Sequence, residues 1–170
     1  MRSRFLNNLY RKITLLFISI ALLSGCGFHV KNSDTLIDKF PKIYVQSNNP
    51  NGELARFVKI RLRGAGIEIA NQPDPQISTL KINPERRSER VVSLYVNAQN
   101  AEKELGYIVE YSLQPPGYQA QSFRVNLYRD FLDNPSQALA KSREAEQLTT
   151  ELRGIAADHM VSTMISLEMR

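Results

Sequence analysis

The chain has 170 residues, a single cysteine and a formal net charge of +5, and 42% of its residues are hydrophobic. Four of the positive charges and no negative charge lie in the first 25 residues, so the rest of the chain carries a net charge of only +1. This balance argues against a nucleic-acid-binding surface, and a lone cysteine excludes an internal disulfide or a cysteine-cluster metal site.

The first 25 residues follow the order of charge and hydrophobicity that is typical of a secretory signal. A basic stretch, residues 1–12, precedes an apolar run over residues 13–23. The run is about 11 residues long, whereas a helix that spans a bilayer needs about 20. Residues 1–25 are therefore predicted to be a cleaved signal peptide; the alternatives are an N-terminal membrane helix or a buried core helix.

The apolar run ends in Leu23-Ser24-Gly25-Cys26, which resembles the lipobox where bacterial lipoprotein precursors are cut before the cysteine. Cys26 is the predicted site of a covalent lipid, and two or three acyl chains would anchor the protein stably, since one chain anchors only marginally. Gly27 follows, where an aspartate tends to retain lipoproteins at the inner membrane. We therefore expect attachment to the outer membrane on its periplasmic side; a secretory signal with an incidental cysteine is the alternative.

The mature chain has the size of one domain. Residues 26–42 are predicted to be an extended lead-in, and residues 43–170 the folded domain. Residues 43–45 and 67–69 are short predicted strands. Between them, apolar residues recur at helical spacing from Glu53 until Gly64 and Gly66, which favour a helix end.

Four later segments have strand character, with apolar and polar residues that mostly alternate: 77–82, 92–96, 107–113 and 123–127. This period of two predicts an antiparallel sheet. The polar residues 97–105 are predicted to form a connection, and Pro115-Pro116-Gly117 a turn.

The last part of the chain is predicted to be a long helix. Asn134 suits the position that caps a helix, and Pro135 suits the first helical position. An apolar stripe that includes His159 then runs from Ala145 to Leu167. The predicted fold is α+β, a two-layer sandwich with two helices on one face of a mostly antiparallel four-stranded sheet with short extra strands.

No pattern in the sequence indicates catalysis. The two histidines, His29 and His159, have no catalytic partners at recognisable spacing, and no zinc-protease, phosphate-loop or dinucleotide-binding motif occurs. We predict that the protein is not an enzyme and that it has no metal or cofactor beyond the lipid on Cys26.

The basic residues Arg86, Arg87 and Arg90 are the most concentrated cationic feature of the mature chain. They are predicted to lie in a turn between two strands. Such a run is usually a solvated turn, but arginine forks also bind phosphate. Lys141 lies in a polar segment that enters the last helix and by itself does not indicate a function.

Three segments resemble the LptE family of lipopolysaccharide-assembly lipoproteins. They are residues 25–30, the stretch 50–68 that contains Asn51 and Gly52, and residues 129–141, which contain Asp133, Asn134 and Pro135 and end at Lys141. With the order of elements, the resemblance covers essentially the whole mature chain.

The resemblance implies an α/β sandwich lodged in the barrel of LptD, where it plugs the pore, assists assembly and binds lipopolysaccharide. Family members use basic side chains near the sheet for this ligand, and Lys141 lies in the matching segment. A second basic position of the family falls near Val96, which has no charge. Arg86, Arg87 or Arg90 is expected to substitute for it.

The competing interpretation is a freestanding, lipid-anchored periplasmic binding or chaperone module that holds its partner through a sheet edge. A third interpretation, a periplasmic hydrolase, would require clustered catalytic side chains. Neither nucleic acid nor a metal is an expected partner.

Overall fold

The computed structural model describes residues 33–167. The predicted signal peptide, Cys26, Gly27 and His29 lie outside this range. Within it, no helix combines the length and the hydrophobicity that crossing a membrane requires.

The described part of the chain contains three α-helices, a short 3₁₀ helix and six strands. The helices are α1 (Ser33–Lys39), α2 (Glu53–Gly64) and α3 (Ala138–Ser166), and the 3₁₀ helix is Pro135–Gln137. The strands are β1 (Lys42–Ser47), β2 (Glu68–Ala70), β3 (Ser78–Ile82), β4 (Arg86–Leu94), β5 (Asn100–Gln114) and β6 (Gln121–Leu132).

All six strands form one mixed sheet. Strand β1 pairs in parallel with β2 on one side and β3 on the other, and the remaining pairs are antiparallel. The long strand β5 pairs with β6 along one edge; β3 and β4 follow one another along its other edge. The sheet therefore narrows at one end to three strands: β4, the first half of β5 and the second half of β6.

One face of the sheet is covered by the helices. Alternate residues of β5, from Leu105 to Leu113, are buried on this face, and α2 and α3 supply the opposing layer. The core ends where Lys39 donates hydrogen bonds to the carbonyl oxygens of Ile165 (2.9 Å) and Leu167 (3.0 Å), which ties α1 to the end of α3.

The prediction of α+β layers is confirmed, but three details of the fold are different. The sheet has six strands and is mixed, since helix α2 connects two parallel neighbours, β1 and β2. A third helix, α1, lies inside the segment predicted to be extended, because Leu36 and Phe40, four residues apart, are fully buried.

The strands around the hairpin are longer than the alternation indicated. Arg86 to Arg90, predicted to be a turn, belong to β4, and β5 already begins at Asn100. These residues pair through the backbone and carry charges on both faces, so they lack the apolar alternation that marks a half-buried strand.

The predicted long helix is confirmed, and Asn134 accepts a hydrogen bond from the backbone nitrogen of Ser136 (3.1 Å), as a cap does. The apolar stripe is displaced from the predicted one. His159 is exposed, whereas Thr149 and Arg153 are buried. Arg153 is buried because it forms ion pairs with carboxylates of other elements, and the helical spacing of apolar residues does not indicate these pairs.

Candidate functional site

The narrow, three-stranded end of the sheet separates the predicted phosphate-binding residues onto two faces. We call this end the ribbon: Arg86–Leu94 of β4 with residues 100–108 of β5 and 126–132 of β6. Directly paired residues of neighbouring strands share one face of a sheet. Tyr107 points to the helices, so its partner Arg87 lies on the helix face, and Arg86 and Arg90 lie on the opposite, open face.

Each of the three arginines contacts a carboxylate of the same chain. On the open face, Arg86 lies 3.0 Å from Glu110, and Arg90 lies 3.0 Å from Glu104. On the helix face, Arg87 lies 3.2 Å from Glu146 of α3. The structure thus brings Arg87 to the same side as Lys141 but does not bring Arg86 or Arg90 there.

Lys141 lies in the first turns of α3, at a hollow between this helix and the helix face of the ribbon. Its ammonium nitrogen is 2.8 Å from Glu144. The hollow, about 370 Å³ in volume, is also lined by Lys103, Glu89 and Asp133. We call it the lysine hollow.

Sequence reasoning missed Lys103. It lies on β5, 3.0 Å from Asp133 and 3.8 Å from Glu89. The hydrogen bond with Asp133 raises the pKa of the Lys103 ammonium against the opposing effect of burial, and the same bond lowers the pKa of Asp133. The sequence contained an indication of this position: Lys103 is two residues from Leu105 and four from Tyr107, which places all three side chains on one face of a strand.

The segment Asp133-Asn134-Pro135 joins the ribbon to the start of α3. The backbone nitrogen of Asp133 donates to the carbonyl oxygen of Ala101 (3.0 Å), and its own carbonyl oxygen accepts from the hydroxyl of Tyr95 (3.5 Å). Pro135 begins the 3₁₀ helix that leads into α3. This segment therefore sets the position of Lys141 relative to Lys103.

A buried arginine at the junction between the ribbon and the wider part of the sheet holds the two layers together. The guanidinium of Arg153 bonds to Glu85 at 2.8 Å and to Glu53, and its Nη1 lies 3.5 Å from Glu146. The hydroxyl of Tyr107 donates to Glu85 at 2.6 Å. We call these five residues the Arg153 network; it joins α2, α3, β5 and the segment before β4.

Electrostatics within the Arg153 network favour its ionised form. Burial raises the pKa of Glu85, but the hydrogen bonds from Arg153 and Tyr107, with the nearby positive charges, lower it by more in total. The hydrogen bond with Glu85 is the main cause that raises the pKa of Arg153. Arginine and carboxylate thus remain charged together.

Asn51 and Gly52 line a cavity of about 520 Å³ that is also bordered by Glu53, Glu85 and Arg153 of this network. Gly52 caps α2, and a Cβ atom there would lie 2.8 Å from the side chain of Asn49. The tight turn places Glu53 at the first position of α2, from which it reaches Arg153. Among residues 33–167, no group of acidic, histidine or cysteine side chains is arranged to hold a metal ion.

The β4–β5 hairpin exposes an unusual amount of apolar surface. Five large side chains near its tip are between 45% and 111% exposed: Val91, Val92, Leu94, Tyr95 and Val96. We call this set the apolar hairpin. Exposed apolar side chains in one group are typical of a contact surface rather than of an isolated protein.

Comparison with known families identifies the group to which this architecture belongs. The family model of LptE, described as lipopolysaccharide-assembly, matches residues 40–164, which include helix α2, all six strands and all but the last two residues of α3. The chain belongs to the LptE family. The role for which the family is named is assembly and not catalysis.

Proteins named "LPS-assembly lipoprotein LptE" from Yersinia pestis and Yersinia pseudotuberculosis are 32% identical over 160 residues, which cover 93% of this chain and 77% of those proteins. The crystal structure of rare lipoprotein B from Shewanella oneidensis is 37% identical with a TM-score of 0.69, covering 74% of this chain and 94% of that one. A minor lipoprotein from Acinetobacter baumannii, 11% identical with a TM-score of 0.62, covers 75% and 92% and shares the fold.

Proposed function

We propose that this LptE chain is an outer-membrane lipoprotein that plugs the LptD β-barrel, assists its assembly and binds lipopolysaccharide on its way to the cell surface. In this proposal residues 1–25 are removed as a signal peptide, Cys26 carries the lipid, residues 26–32 connect it to the described domain, and the protein stays on the periplasmic side of the outer membrane.

The observation that carries the proposal is the character of the open face of the sheet. No helix of the described chain covers this face, yet it carries polar and charged side chains arranged in ion pairs. These include Lys42 with Glu68 (2.6 Å), Arg86 with Glu110 (3.0 Å) and Arg90 with Glu104 (3.0 Å). The lumen of a large membrane barrel is polar, so such a face fits against its inner wall without burying unpaired charge.

The lipopolysaccharide part of the proposal is supported by the other face. There Lys141 and Arg87 lie on the same side of the sheet, and the cavities that they line also contain the apolar side chains of Leu105 on β5 and Phe131 on β6. An anionic glycolipid presents phosphate beside acyl chains, and cations beside apolar surface match that chemistry.

The decisive experiment is purification of the native protein from envelopes solubilised in mild detergent. We expect acylated protein to elute with one very large β-barrel protein in equal amounts. Recovery of only free monomer, with the barrel protein elsewhere in the eluate, would contradict the plug proposal.

The anchor is tested separately with Cys26→Ala. The variant should lose palmitate labelling and either accumulate as precursor or leave the membrane fraction, while Cys26→Ala protein that still incorporates palmitate would remove the anchor from the proposal. A matched Ser24→Ala variant, which keeps a small residue in the lipobox, should be labelled as the wild type is.

A second candidate, a freestanding binding module, is favoured by the outer edge of β6. This strand of twelve residues is paired with β5 on one side, and its other edge pairs with no strand of the described chain. Free edges accept extended segments of other proteins. The module predicts a stable monomer that captures an extended peptide without any barrel, so the same purification distinguishes the two functions.

A further inference from the structure

We propose that a cavity at the end of β1 binds a neutral sugar unit of a glycan, and that the oligosaccharide of lipopolysaccharide supplies this unit. The cavity of about 520 Å³ lies between the segment that follows β1 and the segment that follows β3. We call it the asparagine cavity, after Asn48, Asn51 and Asn83 in its wall. The inference rests on the proposed function for the source of the sugar, and the cavity has no lining residue in common with the lysine hollow.

Two neighbouring parallel strands part at the asparagine cavity. The last paired residues of β1 and β3 are Ser47 and Ile82. Beyond them the chain leaves β1 for helix α2, whereas it continues from β3 into β4 along β5. Open α/β sheets bind ligands in the crevice outside the carboxyl ends of strands whose connections diverge. The volume also lies in the range of about 300–1,000 Å³ that is typical of ligand pockets.

The strand that borders the cavity contains a bulge. Ile82 pairs with Tyr111, and Arg86 pairs with Ile108. Three residues, 83–85, therefore lie opposite only two residues of β5. The extra residue reverses which side chains face the helices, and bulges that redirect side chains in this way are frequent next to binding sites.

The charged groups in the wall of the cavity are already paired with one another. The side chain of Arg153 is 8% exposed and is contacted by three carboxylates, those of Glu53, Glu85 and Glu146. One positive and three negative charges give this part of the wall a net charge of 1 − 3 = −2, which disfavours a phosphate or carboxylate ligand. A cationic ligand would have to compete with Arg153 for the same carboxylates. The charges therefore favour a neutral ligand.

The neutral polar groups of the wall are available to a ligand. The side-chain amides of Asn48, Asn51 and Asn83 form no hydrogen bond with another group of the described chain. Each amide has an acceptor oxygen and two donor hydrogens, and a sugar hydroxyl likewise both accepts and donates. The apolar side chains of Leu54 and Ile82 also line the cavity and can pack against the C–H groups of a sugar ring.

An extended peptide matches the asparagine cavity less well than a sugar does. Peptides that bind to sheets pair with a free strand edge. Here β1 and β3 pair with each other as far as Ser47 and Ile82, and the segment that follows β3 contains Pro84, which has no N–H group to donate.

The test is an NMR titration of the isotope-labelled, acylated full-length protein in detergent. The probe is the oligosaccharide that mild acid releases from lipopolysaccharide, freed of its phosphates. The side-chain amide signals of Asn48, Asn51 and Asn83 should shift with one common dissociation constant. The signal of Asn126, an exposed amide on the open face of β6, should not shift.

Two variants measure the contribution of the amides. Asn51→Ala and Asn83→Ala should each weaken binding about five- to tenfold, because each removes hydrogen bonds to the ligand. The matched control, Asn126→Ala, should change the affinity less than about twofold. Asn51 is exposed and Asn83 is half-buried, so all three variants should keep the thermal unfolding midpoint of the wild type.

Ionic strength and a second glycan identify the class and the source of the ligand. A neutral ligand should bind equally, within about twofold, at low and high salt, because screening acts on charges. A loss of affinity of about tenfold at high salt would overturn the assignment of a neutral ligand. Maltohexaose, a neutral glycan of another source, should bind at least about tenfold more weakly; equal binding would overturn lipopolysaccharide as the source of the sugar.

Failure of the sugar site differs from failure of the proposed function. Intact lipopolysaccharide that does not bind to the wild-type protein refutes the proposed function itself. If intact lipopolysaccharide binds but its released oligosaccharide leaves the three amide signals unmoved, only the sugar site is overturned. Equal affinities of Asn83→Ala and Asn126→Ala for the oligosaccharide would overturn it as well.

Discussion

The Arg153 network and the lysine hollow both place a cation between α3 and the sheet, but they are built in opposite ways. Arg153 is 8% exposed in its side chain and is shared by Glu85, Glu53 and Glu146. The side chains of the two lysines in the hollow are 25% and 19% exposed, and each has fewer short contacts. A buried cation that is held by three carboxylates serves the fold, whereas a more exposed cation with fewer partners is available to a ligand.

The comparison extends to the residues around each cation. The Arg153 network lies where the ribbon joins the wider part of the sheet, and Tyr107 is fully buried there. The lysine hollow lies at the ribbon, where the neighbouring Val91 and Leu94 are exposed. We expect substitutions in the first region to change stability and substitutions in the second to change binding.

The largest expected effect is that of Arg153→Met. Removing the guanidinium leaves Glu85 and its partners without their positive charge in a half-buried site, which should lower the free energy of unfolding by about 3 kcal/mol. Urea unfolding in mild detergent measures it. Arg61→Met, which breaks the exposed 2.7 Å bridge to Asp158, is the control and should cost less than about 1 kcal/mol. Equal losses of unfolding free energy in the two variants would contradict the structural role assigned to Arg153.

Two glycines with left-handed backbone allow a closely packed position to be compared with an open one. Gly66 has a φ of 84°, and a Cβ there would lie 2.7 Å from Ile37; Gly117 has a φ of 77° and open space around it. Gly66→Ala should cost about 2 kcal/mol and Gly117→Ala about 1 kcal/mol in unfolding free energy, because only the first adds a contact to the backbone strain. A larger cost for Gly117→Ala would contradict this account.

The pH dependence of stability tests the ionised state of the Arg153 network. Because the pKa of Glu85 is lower in the folded protein than the ordinary value of about 4.3, its contribution is present above that value and is lost as the pH falls through the folded pKa. Stability should therefore decrease below about pH 4, and Glu85→Gln should make this decrease less steep. A variant with the same acid profile as the wild type would show that Glu85 is not responsible.

The smallest effect is expected in the apolar hairpin. Leu94 is 58% exposed, so Leu94→Ser should change the unfolding free energy by less than about 0.5 kcal/mol, whereas Leu80→Ala in the core should cost about 3 kcal/mol. If the hairpin contacts a partner, Leu94→Ser should nevertheless reduce the amount of barrel protein that co-purifies. If Leu94→Ser instead destabilises the monomer, the side chain of Leu94 contributes to the stability of the fold.

Local pattern alone was sufficient for the parts of the molecule that bury one continuous stripe. The helix from Glu53 to Gly64, the cap at Asn134 and the long final helix follow from periodicity and capping chemistry, and the turn at Pro115-Pro116-Gly117 follows from its residue types. The early helix α1 also had its signal, since Leu36 and Phe40 are one helical turn apart.

Which strands become neighbours, and which charges meet, was decided only by the tertiary structure. The parallel pairing of β1 with β2 and β3, the extension of β4 over Arg86 to Arg90 and the burial of Arg153 all depend on partners distant in the chain. Lys103 and Lys141 likewise line one hollow only because the segment at Asp133 folds α3 back onto the ribbon. A sequence specifies which face of an element is apolar, because that property is local; a buried or paired charge is stable only when its counter-ions arrive from elsewhere, and that is a property of the assembled fold.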